Sequence, residues 1–173
     1  MDMQVEKPWL AHYPPSVPAS IDTRAYASLT DLLDEFFRKY AGRTACVCRE
    51  SEFSFAEIDE PSASLAAWLQ SKEMVRGSRV TLMMPNLPQY MAPIAAVLRA
   101  GYVVVNVNPL YTPRELEHQL KESGALAIVL RENFATTLEE VIDRTGIKQS
   151  CLPRGAICSD SGRAAWSTLP CAT

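Results

Sequence analysis

Three apolar runs, at 80–84, 102–107 and 126–130, contain almost no polar alternation and are separated by segments of helical period. A strand that does not alternate is buried on both faces. That condition belongs to parallel sheets covered by helices, whose crossovers are right-handed. The runs therefore predict an α/β fold, a partial doubly wound parallel sheet flanked by helices.

The helices between the runs carry their own start and stop signals. Thr112 can cap, Pro113 suits the first helical position, and Glu115 can reach back to the cap amide. Tyr111 and Leu116 form a staple, and Gly124 ends the helix predicted over 113–123. Earlier, Leu29, Leu32, Leu33, Phe36, Phe37 and Tyr40 form one apolar stripe, started by Ser28 with Asp31 and stopped at Gly42. Residues 44–48 and 52–53 read as two short strands. Ser54 and Glu57 open a second helix that faces Ile58, Leu65, Trp68 and Leu69 inward and carries Pro61 inside it. A helix with Tyr90, Ile94, Val97 and Leu98 inward accommodates Pro93 only if it starts near Met91 or Ala92. Gly101 ends it. Asn133 and Gly146 bracket a last helix through Phe134, Leu138, Val141 and Ile142.

These signals divide the chain into three parts. Residues 1–27, with Pro8, Pro14, Pro15 and Pro18, form an extended arm that Trp9, Tyr13 and Val17 can anchor on a surface. Residues 28–149 are the α/β unit. Residues 150–173 hold three of the five cysteines and show no sustained period, which reads as a disordered tail. Two origins fit it, a change of reading frame after Gln149 or a natural flexible terminus.

Composition excludes several function classes. The net charge is −3 and the five lysines are scattered, which argues against a nucleic-acid surface. The start lacks a secretory signal, and no apolar run approaches the ~20 residues of a membrane span, so a cytoplasmic protein is expected. Cys46 and Cys48 share one strand face, and two ligands do not close a zinc site. His118 lies off the apolar stripe of its helix and Arg114 is in an exposed first turn. Asp59 with Glu60, and Glu139, Glu140 and Asp143, fall on polar helix faces. The glycines are all single, so no phosphate-cradling loop forms. Asn86 and the turn at 85–88 stand at the carboxyl end of a strand, where open α/β sheets bind ligands, and read first as structural.

The string Asn-Val-Asn-Pro-Leu-Tyr-Thr-Pro-Arg-Glu-Leu-Glu-His-Gln-Leu at 106–120, with Arg-Ala-Gly-Tyr-Val-Val-Val at 99–105, resembles the N-terminal part of adenylate-forming acyl-CoA synthetases. It is most similar to long-chain fatty-acid–CoA ligases. The arm at 7–18 resembles the segment before the first helix in the bacterial members, and the resemblance ends near Gln149. The family implies ATP-dependent adenylation of a fatty acid, then thioesterification to CoA, with Mg²⁺. It holds ATP with a Ser/Thr/Gly-rich loop ending in lysine, a Tyr-Gly-x-Thr-Glu segment, a ribose-binding Asp and a C-terminal lysine. None has a matching position here, so no catalytic, cofactor-binding or metal residue is assigned and no cofactor is expected for this chain. The expected identity is an N-terminal fragment, inactive alone. Its parent takes a fatty acid, has no transmembrane segment and can associate peripherally with membranes, while the fragment can self-associate through an exposed sheet edge. Two other readings remain open: a non-catalytic nucleotide- or acyl-binding module, and an interaction subunit of a split synthetase.

Overall fold

The structure, a computed structural model, describes residues 7–49 and 51–152. Helix α1 (Leu29–Lys39) is followed by an antiparallel hairpin of β1 (Thr44–Cys48) and β2 (Ser51–Ser54). Helix α2 (Phe55–Gln70) leads to β3 (Arg79–Met83), α3 (Met91–Arg99), β4 (Val103–Val107), α4 (Pro113–Ser123) and β5 (Ala127–Leu130). A short α5 (Ala135–Glu139) precedes β6 (Gln149–Cys151). The four later strands form one parallel sheet in the order β4-β3-β5-β6.

Alternate residues of the central strands serve opposite faces. Val80 and Leu82 of β3, with Ala127 and Val129 of β5, pack under Leu65 and Leu69 of α2 and Ala96 and Val97 of α3. Met83, Ile128 and Leu130 pack under Leu116 and Leu120 of α4 and Leu138 beyond them. Because β5 is fully buried along its length, its sequence has no reason to alternate. The predicted doubly wound sheet is the one observed. α1 lies outside the α2/α3 layer, where Phe37 meets Ile58, Ala92 and Ala95. Its stripe is wider in sequence than in burial: Phe37 alone is buried in α1, and Leu29 is 65 % exposed.

Caps fix three helix starts as expected. The Ser28 side chain accepts from the Asp31 amide at 3.1 Å, and both Ser54/Glu57 and Thr112/Glu115 form reciprocal capping boxes. α3 begins at Met91, so Pro93 sits in its first turn and costs no hydrogen bond. α2 instead runs through Pro61 unbroken. Gly101 (φ 81°) and Gly124 (φ 60°) adopt the left-handed backbone that closes α3 and α4.

Two boundaries differ from expectation. Asn133 does not cap the last helix: a 3₁₀ turn at Glu132–Phe134 comes first, and α5 has five residues without a side-chain cap. With paired threonines in its first turn and no cap, this segment lacks the local support that α4 has. The sheet also passes 149, because Ser150 and Cys151 pair with Ile128 and Val129. The rest of the expected tail, from 153 onward, lies outside the described residues.

Candidate functional site

The order of the parallel strands creates a switch point. β3 leaves through α3 to β4 on one side, whereas β5 leaves through α5 to β6 on the other. Connections that diverge in this way open a crevice beyond the carboxyl ends of the strands. A cavity of about 540 Å³ lies there. Met84, Pro85 and Asn86 after β3 form one wall, Asn106 to Leu110 at the end of β4 another, and Phe134 after β5 the third. Its size falls in the range of small-molecule clefts.

Three asparagines set its polarity. Asn106 is held by Tyr90, whose hydroxyl donates to Asn106 Oδ1 at 2.7 Å. Burial pushes the Tyr90 hydroxyl above its ordinary pKa, which keeps it a neutral donor. Asn108 Oδ1 accepts from the Leu110 amide at 3.0 Å, a local turn that sends the chain toward α4. Asn86 is exposed on the opposite wall. Leu110, 81 % exposed, forms the rim. The lining carries amides, one phenol and apolar surface, and no ionised side chain.

That donor set does not fit a magnesium triphosphate. Such a group needs cations or free backbone amides. At the start of the adjacent α4, Arg114 is exposed to solvent, and the Glu115 carboxylate that accepts from the Thr112 amide at 2.9 Å places a negative charge beside it. Among the described residues, no three His, Cys, Asp or Glu side chains cluster as metal ligands.

The structure disperses the remaining residues weighed in the sequence. His118 is exposed beside Glu122 at 3.6 Å, and Arg114 is exposed. Glu60, Glu139, Glu140 and Asp143 are on the surface. Cys46 and Cys48 are half-buried on β1, and burial raises the Cys46 thiol pKa, with Cys48 adding to the shift. Asp59 differs: its carboxylate lies 2.6 Å from Arg99. Arg99 also binds Asp34 at 2.6 Å and Ser62 Oγ, and stands 4.9 Å over the Phe37 ring, tying α3 to α1 and α2. Its pKa is raised: burial works against the charge, but the hydrogen bonds and charges of Asp34 and Asp59 outweigh it. Sequence reasoning missed both this tie and the Tyr90–Asn106 bridge. The available signal was two asparagines, i and i+2, ending an otherwise all-valine strand.

A family model described as AMP-binding enzyme matches residues 33–168, past the point where the sequence resemblance was expected to end. The long-chain-fatty-acid–CoA ligase of Escherichia coli O6:H1 is 48 % identical over 151 residues, covering 87 % of this chain and 27 % of the relative. That of Yersinia pestis gives the same identity and coverage. Among solved structures, a long-chain-fatty-acid–CoA ligase from Archaeoglobus fulgidus superposes with a TM-score of 0.66 at 30 % identity, covering 78 % of this chain and 28 % of that one. The chain thus spans about a quarter of the length of the curated relatives it matches.

Proposed function

The chain belongs to the AMP-binding enzyme family, and we propose that residues 28–149 are the opening α/β unit of a long-chain fatty-acid–CoA ligase. The parent reaction joins a fatty acid to ATP as an acyl-adenylate, with Mg²⁺, and then transfers the acyl group to CoA. Splitting one difficult acylation in two, with pyrophosphate leaving first, is what makes the carboxylate reactive. The observation that carries the reading is 48 % identity sustained over 87 % of the chain.

In this reading the 173-residue polypeptide supplies scaffold and performs neither half-reaction on its own. The uncharged cleft supports that division of labour, because its lining holds no cation to pair with a triphosphate. The cytoplasm is the proposed site of action. Among the described residues, no helix is long and apolar enough to cross a membrane. The outer edge of β4, which among the described residues pairs with β3 alone, is the proposed route of self-association.

Carboxylate-dependent ATP–pyrophosphate exchange tests the reading. Purified chain with palmitate, ATP and Mg²⁺ is expected to show no exchange above a no-enzyme control. Turnover that scales with protein concentration overturns the proposal that the chain is incomplete for adenylation.

A further inference from the structure

Two thiols of the β1–β2 hairpin take no part in the cleft. Cys46 and Cys48 stand two residues apart on β1 where the pairing is regular, Cys46 opposite Phe53 and Cys48 opposite Ser51. Residues two apart on a strand share a face. Val47 between them points the other way and is 62 % exposed, whereas Phe53 across from Cys46 is buried. Cys46 packs against the cluster of Phe37 and Ile58, and Cys48 is half-buried. Burial raises the Cys46 pKa and the charge of Cys48 raises it further, so the two sulfurs sense one another. Neither is in a disulfide. Same-face Cβ atoms along a strand lie about 6.6 Å apart, beyond the ~4.5 Å that a disulfide spans, so the pair stays a dithiol.

We propose that Cys46 and Cys48 form a two-coordinate site for a soft, thiol-seeking cation of the Cu(I) type. Three features select that class. Both donors are sulfur, which favours Cu(I) over the hard cations that oxygen ligands hold. Among the described residues, no third His, Cys, Asp or Glu completes a set with them, which leaves zinc short of its four ligands. A linear two-coordinate ion needs no third ligand. The last feature is spacing. A metal–sulfur bond of about 2.3 Å puts the two sulfurs of such a complex about 4.6 Å apart. Side chains that lean toward each other along the strand reach that separation from Cβ atoms about 6.6 Å apart. Binding exchanges two S–H bonds for two S–Cu bonds, releases two protons and transfers no electron. The apolar surroundings then shelter one net negative charge rather than the two of a bare dithiolate. The inference rests on β1 alone and stands whether or not the chain is the opening of a ligase.

The test is anaerobic competition for Cu(I) between the full, reduced chain and a chromophoric chelator, repeated with Cys46→Ser, Cys48→Ser and the double variant. The native chain is expected to hold one equivalent that all three variants lose, with affinity reduced at least about a hundredfold, because a single thiol does not chelate. Thiols elsewhere in the sequence are the same in all four chains and cancel in the comparison. Native binding no tighter than that of the double variant overturns the proposal. So does a single variant that keeps the equivalent, since each thiol then acts alone. Circular dichroism checks the fold of each chain, and X-ray absorption of the copper-loaded native chain needs no variant. Two sulfur neighbours per copper are expected there, and a third neighbour overturns the two-coordinate assignment.

Discussion

The two faces of the sheet are built from the same four parallel strands but handle polar groups in opposite ways. On the α2/α3 side, a guanidinium half-shielded from water is fully partnered: Arg99 reaches Asp34, Asp59 and Ser62 and joins three helices at one point. On the side of the sheet that meets α4 and α5, Thr81, on the same β3 parity as Met83, is a polar residue buried among apolar ones. Its hydroxyl is fully buried and has no hydrogen-bond partner in the structure. One face contains an added tie that orders a third layer. The other contains an unused polar atom in a place where a methyl group would do. The difference shows that attachment of the outer helix α1 is not set by apolar area alone, since α1 fully buries only Phe37 and is also tied by the Arg99 bridge.

Breaking the bridge gives the largest expected effect. Arg99→Ala leaves two carboxylates without their cation and is expected to cost about 2 kcal/mol, below the figure for a fully buried pair because both carboxylates stay partly in water. The loss should be read by urea denaturation. Amide exchange in α1 is expected to accelerate more than in α4. Equal acceleration of both helices would mean that α1 is not held by this contact.

The opposite sign is expected on the other face. Thr81→Val keeps the shape, deletes the unpartnered hydroxyl and is expected to raise stability by about 1 kcal/mol in the same assay. A loss of stability would show that the hydroxyl has a partner in solution. Neither Arg99 nor Thr81 stands out in the sequence, and the reasons differ. Arg99 is the last residue of an apolar helix, and its partners lie 65 and 40 residues away, so no local pattern links them. Thr81 has a strand-forming shape that hides its unsatisfied oxygen among valine and leucine. What the sequence does disclose is local: the caps at Ser28, Ser54 and Thr112, the closure at Gly124, and the non-alternating runs that demand two covered faces. α5 fell short of expectation because its stop and start were inferred from single residues with no reciprocal partner. The cleft was half legible. Asn86 could be placed at a strand's carboxyl end, but the wall opposite it depends on β4 lying beside β3, which only the sheet order determines.

The smallest effect is shared by both faces, because α2 and α4 each begin with a capping box. Glu57 and Glu115 accept from the backbone and hydroxyl of Ser54 and Thr112, and these bonds hold both carboxyls below the ordinary glutamate pKa. A carboxyl lowered in the folded state adds stability above the unfolded value of about 4.3 and loses it as pH falls through the folded value. Thermal stability is therefore expected to be flat with pH near neutrality and to decline below about pH 4.3. Glu57→Gln and Glu115→Gln should each make that decline shallower by a similar, small amount, since both groups are near the surface. Glu117 complicates the α4 side: hydrogen bonds from Lys121 and Arg144 lower its pKa as well. Glu117→Gln removes that contribution and isolates the box. If the Glu57 and Glu115 variants then differ severalfold in their acid slopes, the two caps are not equivalent. The contrast between the faces would extend from their buried groups to their helix starts.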